Sequence, residues 1–197
     1  MQQGWVLPVM NRKFCYTLTV VVSLFAASAN GASMAYSINS DSNTGDADYL
    51  YQIDLENGTN LQRPLPLFSG AHHPNDFEGL AFAPDGTLWG IDDGFISNYP
   101  AMFPINPGTG AGNPLQSVSF TGLQTGGHND FGMTFTCDNS LYVTSVTTHH
   151  LYKLGLDGSV EDIGDLGANV SISAIAAIGN PTRLYGLGNG VDDSGAA

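Results

Sequence analysis

The chain has 197 residues, of which 12% are charged, with 5 basic against 18 acidic side chains and 25 glycines. The acidic balance excludes nucleic acid and anionic membrane as partners, since both demand a basic surface. Low charge with abundant Gly favours a loop-rich all-β chain over a helical one.

Residues 1–31 read as a leader. Met10, the expected start, opens a basic segment with Arg12 and Lys13; Phe14–Phe25 is a short apolar core, and Ala27-Ser28-Ala29 supplies an A-x-A cleavage pattern. The apolar run is too short for a membrane span. The expected protein is secreted or periplasmic, with no membrane contact after cleavage. Both leader cations then leave, and the mature part holds 3 basic and 18 acidic residues, a balance of −15. Cys15 leaves too. Cys137 is then either a lone turn residue or half of a disulfide whose partner lies elsewhere.

Residues 32–197 read as short strands between turns. Met34–Ile38 is the first strand, followed by the polar loop Asn39–Asp48. Tyr49–Leu55 alternates as a strand, and Leu61–Phe68 is extended, limited to an edge by Pro64 and Pro66. Gly79–Phe82 and Thr87–Ile91 flank Ala83-Pro84-Asp85-Gly86, where Pro presets φ and Gly accepts a positive φ, so the three segments read as a hairpin. Ala101–Ile105 and Leu115–Phe120 complete that unit. The next runs Phe131–Phe135, Leu141–Ser145, His150–Leu154 and Val160–Ile163; a last, fainter copy holds Ala174–Ile178 and Leu184–Leu187.

These units repeat. Tyr36, Trp89, Tyr142 and Tyr185 align at spacings of 53, 53 and 43 residues, and a Leu-Tyr-x-Ile phrase recurs at Leu50, Met102 and Leu151. Four short strands per unit at this period is the pattern of β-propeller blades, each of which buries its faces by stacking on neighbours. The expected fold is all-β: a partial propeller of about three and a half blades, with units near 34–70, 71–122, 126–168 and 170–197. A closed propeller takes four to eight blades, so the sequence is expected to be the N-terminal piece of a longer one.

Asn75-Asp76-Phe77-Glu78-Gly79-Leu80-Ala81, followed by Pro84-Asp85-Gly86-Thr87-Leu88-Trp89, resembles exported bacterial propellers of the NHL, SMP-30-like and phytase-like (esterase-like) groups. The resemblance spans roughly residues 34–187 and is sharp at 75–93. It implies that acidic residues of inner strands hold calcium at the central channel; Asp76 and Glu78 match that motif. The next unit has Asp130 but reads Phe131-Gly132, without the Glu. A phosphate substrate would need a basic cluster, whereas Arg63, Lys153 and Arg183 are scattered.

The residues themselves offer the same candidates. His73-Pro74-Asn75-Asp76 and His128-Asn129-Asp130 lead into the innermost strands of two units, where carboxylates suit Ca²⁺ and imidazole suits a transition metal; equally, Asn-Asp stabilises turns. Asp92-Asp93 reads as cation ligands or as a solvated turn. The loop with Asp41, Asn43, Asp46 and Asp48 lacks EF-hand spacing. The tandem pairs His72-His73 and His149-His150 cannot chelate through both rings from one strand. No G-x-S-x-G, H-E-x-x-H or P-loop is present. The metal candidates are therefore Asp76, Glu78, Asp130, Asp92 and Asp93, with Ca²⁺ as the expected ion. The expected function is a binding module for a small-molecule, glycan or protein ligand; the alternative is a metal-dependent esterase-, lactonase- or phytase-like hydrolase.

Overall fold

The computed structural model describes residues 33–38, 48–61, 64–69, 77–93, 100–123, 129–167 and 170–188. Among them there is no α-helix, and no helix long and apolar enough to cross a membrane. The strands are β1 (Met34–Ile38), β2 (Tyr49–Asp54), β3 (Leu65–Pro66), β4 (Phe68–Ser69), β5 (Phe77–Phe82), β6 (Leu88–Asp92), β7 (Ala101–Ile105), β8 (Ala111–Gly112), β9 (Val118–Ser119), β10 (Phe131–Phe135), β11 (Leu141–Ser145), β12 (His150–Leu154), β13 (Val160–Asp165), β14 (Ile172–Ile178) and β15 (Arg183–Gly188). They form four sheets: β1-β2-β3, β5-β6-β7 with the short strands β4, β8 and β9 outside, β10-β11-β12-β13, and β14-β15.

The sheets are blades around a common axis. The first strands of three of them, β5, β10 and β14, lie side by side, while β7 and β12 lie further out in their sheets. Two glycines allow this approach. A Cβ on Gly79 would meet the Phe131 carbonyl oxygen at 2.8 Å, and one on Gly132 would meet the Ala174 backbone at 3.1 Å. The blades are tied by hydrogen bonds as well: Thr144 Oγ1 donates to the Ile172 carbonyl at 2.7 Å, and the Phe77 N–H donates to buried Asp48 at 2.7 Å. The apolar core is divided the same way. Leu50, Leu67, Phe77, Leu88, Phe103 and Ile105 form one cluster between the first and second blades, and Ile91, Met102, Phe131, Met133, Val143 and Leu154 are in another between the second and third.

One repeated hydrogen bond fixes which strand is which. The residue before β2, β7 and β12 accepts through its carbonyl from the far end of its own blade: Asp48 from Leu67, Pro100 from Phe120, His149 from Leu166. β2, β7 and β12 are thus equivalent third strands. β1 pairs with β2 as β6 pairs with β7 and β11 with β12. β1 is therefore a second strand, and it lies against β5 as β11 lies against β14. The first sheet has no inner strand among the described residues.

The turns follow the expected chemistry, with the aspartates taking part directly. Asp85 accepts from the Thr87 N–H at 2.9 Å and Asp157 from the Ser159 N–H at 3.0 Å, while Gly86 and Gly158 take φ of +88°. The Thr87 N–H holds Asp85 below the ordinary carboxylate range; the Thr136 hydroxyl does so first for Asp138, and the Ser159 hydroxyl for Asp157. One expected strand is mostly something else. Leu115–Phe120 shrinks to Val118–Ser119, because Pro114–Gln116 is a 3-10 turn capped by Asn113, whose side chain accepts from the Leu115 N–H. Pro at the first position and Asn before it are helix-start chemistry.

Candidate functional site: an axial cleft with two bulges

Inner strands that stand side by side leave a cleft at the axis. It measures about 400 Å³ and draws on all four sheets. Tyr36, Ser37 and Ile38 come from β1, Glu78 from β5, Asp130 from the residue before β10, and Ser173 from β14.

Backbone register explains how Glu78 reaches it. Phe77 pairs with Asp92 and Gly79 with Ile91, so Glu78 is an extra residue outside the one-to-one register. In β10, Phe131 pairs with Ser145 and Gly132 with Thr144, with no residue between. Phe77 and Gly79 thus match Phe131 and Gly132, and the Glu that the third blade lacks is a β-bulge in the second. The fourth blade repeats the bulge: Ile172 pairs with Gly188 and Ala174 with Leu187, leaving Ser173 extra. Bulges bend a strand and re-aim a side chain. Here both bulged residues line the cleft, on either side of the blade that contributes Asp130.

The structure sorts the sequence candidates. Glu78 and Asp130 share the cleft. Asp92 and Asp93 are not among the residues lining it; Asp92 ends β6 and Asp93 follows it, at 8% and 0% exposure, so they are not a solvated turn. Asp76, with His72, His73, Asn75 and His128, lies outside the described residues, as do Asp41, Asn43 and Asp46. In the Asn129-Asp130 pair the roles divide. Asn129 is buried and its Oδ1 accepts from Ser145 Oγ and the Thr147 N–H, both at 3.0 Å, which is the structural turn; Asp130 is half-buried at the cleft. His150 sits on the outer strand β12, 2.9 Å from both Asp162 oxygens and stacked on Tyr152, away from the axis. Cys137 is not a free thiol, and the chain's other cysteine, Cys15 of the leader, lies outside the described residues.

Ser37 and Ser173 were not among the sequence candidates. For Ser173 the signal existed, since Ser171-Ile172-Ser173-Ala174 occupies the place of Asp76-Phe77-Glu78-Gly79. The cleft's polar side chains all offer oxygen, which in type suits a hard cation such as Ca²⁺. In number they fall short: among the described residues no three His, Cys, Asp or Glu side chains are grouped to hold a metal ion.

No protein-family model matches the chain, and no curated protein matches it. Solved structures resemble it. A luciferin-regenerating enzyme is 17% identical over 77% of this chain and 48% of its own, with a TM-score of 0.48. A streptogramin B lyase is 15% identical over 76% and 46%, with a TM-score of 0.47. A virginiamycin B lyase from Staphylococcus aureus is 16% identical over 70% and 43%, with a TM-score of 0.40. The chain thus spans about half the length of these structures or slightly less. At that level of similarity they say nothing of chemistry, and the propeller assignment rests on the strand order and repeated hydrogen bonds above.

Proposed function

We propose that this chain is an exported propeller module that binds a small polar ligand in its axial cleft. Glu78 and Asp130 would hold calcium in that cleft, and Asp76, outside the described residues, is the third candidate ligand. The supporting observation is the bulge at Glu78. It interrupts a ladder that the third blade keeps intact, and it lies where a carboxylate enters a cleft shared by four sheets. Oxygen donors alone line that cleft among its polar side chains, in keeping with Ca²⁺ and not Zn²⁺. The −15 balance of the mature sequence favours cations over phosphorylated ligands.

The test is thermal melting of the full chain in Ca²⁺, Mg²⁺ or chelator, for wild type and Glu78→Gln. Ligand at a hundred times its Kd stabilises by about 2.7 kcal/mol, which for a domain of this size raises Tm by about 5–10 °C. That rise is expected with Ca²⁺ in wild type and is expected to be lost in Glu78→Gln. An equal rise in both proteins refutes the site. The hydrolase reading is decided alongside it. A bound cation there would polarise a substrate oxygen or lower the pKa of water. Calcium-dependent turnover of ester, lactone or phosphate substrates that is lost in Glu78→Gln replaces the binding-module reading with the hydrolase.

A further inference from the structure

The turn from β2 to β3 carries the one Asn-Gly pair among the described residues, Asn57-Gly58, in a run that is exposed from Leu55 to Leu61. Asn-Gly lets a backbone nitrogen approach a side-chain amide, because glycine has no Cβ to obstruct it. The turn engages every group that such an approach uses. The Gly58 N–H donates to the Asp54 carbonyl at 2.8 Å. Asn57 Nδ2 donates to Asp54 Oδ2 at 2.7 Å, and Asn57 Oδ1 accepts from the Thr59 N–H at 2.9 Å and from the Thr59 hydroxyl. Asp54 is itself buried and accepts from the Glu56 N–H at 2.8 Å. The third blade builds the same turn with another charge. Asp157 Oδ1 accepts from the Ser159 N–H at 3.0 Å and hydroxyl at 2.6 Å, and the Gly158 N–H donates to the Gly155 carbonyl at 2.9 Å. A Cβ on Gly155 would strike Asp157 Oδ1. The acid is thus faced by a glycine in the third blade, and the amide by an aspartate in the first.

We propose that Asn57 is a site of spontaneous deamidation, which Asp54 holds closed in the folded chain and which opening of this turn releases irreversibly. In the open turn Gly58 N gives its proton to hydroxide and attacks Asn57 Cγ. The N–Cγ bond forms, the Cγ–Nδ2 bond breaks, and Nδ2 leaves as ammonia with a proton from water. Water then opens the cyclic imide at either carbonyl, leaving aspartate or isoaspartate at position 57. The net change consumes water and releases ammonia, with no other reactant. In the closed turn Asp54 opposes both ends of the step. Its carbonyl binds the proton that Gly58 must lose, and its carboxylate, an acceptor only, offers Nδ2 no proton with which to leave. The product does not restore the turn, because a carboxylate now meets Asp54 Oδ2 where an amide donated to it. Opening is accessible. β3 holds to β2 by pairing Tyr49 with Pro66 and Leu50 with Leu65, and by the Ile53–Asn60 bridge, a short ladder of the kind that opens locally below the free energy of global unfolding. The inference concerns the outer turn of the first blade and is independent of the cleft and its ligand.

The experiment follows position 57 by peptide mapping while the full chain stands in warm, mildly alkaline buffer, beside a synthetic peptide of residues 53–61, Ile-Asp-Leu-Glu-Asn-Gly-Thr-Asn-Leu. The readout is the mass change from amide to acid, with isoaspartate identified by fragmentation. Asn57 in the folded chain is expected to react about tenfold more slowly than in the peptide, or slower still, and to reach the peptide's rate in urea that unfolds the chain. Asp54→Ala removes the carboxylate, and its folded chain is expected to lose the amide faster than wild type. Asn57→Asp puts the product's charge into the turn and is expected to melt below wild type, whereas adding it to Asp54→Ala is expected to leave that variant's melting unchanged. A folded wild type that reacts as fast as the peptide overturns the proposal. So does a folded Asp54→Ala chain that reacts no faster than wild type, or an Asn57→Asp chain that melts with wild type. Should Asp54→Ala not fold, the ratio of wild type to peptide and the melting of Asn57→Asp decide.

Discussion

Replacing Gly79 by Ala tests whether the inner strands are packed as tightly as their geometry states. The added Cβ would lie 2.8 Å from the Phe131 carbonyl oxygen, 3.1 Å from Ile91 Cγ2 and 3.2 Å from Met133 Cβ. The first neighbour is backbone in a paired strand, and the other two belong to the buried core between the second and third blades, so none can swing aside. Overpacking of this kind costs about 1–3 kcal/mol. Alanine restores about 0.4–1 kcal/mol by restricting the unfolded chain. The net loss is about 1–2 kcal/mol, or a Tm lower by about 2–8 °C. Gly122→Ala is the control. Its Cβ would meet Val160 at 3.4 Å, an ordinary contact, so only the unfolded-chain term acts and its Tm is expected to hold or rise slightly. Scanning calorimetry on both variants decides. A Gly79→Ala protein that melts at or above wild type refutes the claim that β5 and β10 pack glycine-close.

Thr144→Val removes the hydroxyl that bonds Ile172 and so tests the tie between the third and fourth blades. The expected loss is about 1 kcal/mol by urea denaturation, with faster exchange along β14 and none along β2. Asp157→Ala tests a turn. The folded-state pKa of Asp157 is held below its ordinary 3.8 by Ser159. Its contribution is therefore present above pH 3.8 and fades as pH falls through the lower folded-state value. The variant is expected to melt below wild type at pH 7, with the gap closing in acid; a gap that persists at pH 2 contradicts this.

Much of the fold is legible because each blade writes its period in large apolar residues. The Leu-Tyr phrases locate β2, β7 and β12, and β1 and β10 to β12 have the bounds their residues suggest. Bulges are not legible in the same way. The absence of Glu between Phe131 and Gly132 reads as a lost ligand until register shows Glu78 to be an insertion, and register depends on pairing across a hairpin. Burial misleads too. Asp92-Asp93 looks like a wet turn in sequence, yet both are buried, at the end of β6 and just beyond it. Pro114 carries its signal, since Asn before Pro marks a helical start, but Leu115, Val118 and Phe120 beyond it read as a strand.

The repeat also shows where chemistry has room to vary. Positions that the three described inner strands fill for packing are alike: Phe77, Phe131 and Ile172 at their start, then Gly79, Gly132 and Ala174, small enough for blades to meet. Between those two positions the chain inserts Glu in one blade, nothing in the next and Ser in the fourth. A bulged residue stands outside the one-to-one register of the ladder, so its identity is not fixed by cross-strand pairing. The residue just before the strand behaves similarly, being Asp76, Asp130 and Ser171 in turn. On the proposed reading, recognition would fall to the places where the blades disagree, and stability to those where they agree. On that reasoning Glu78→Gln should alter binding with little change in the melting of the cation-free chain, whereas Gly79→Ala, one residue along, should do the reverse.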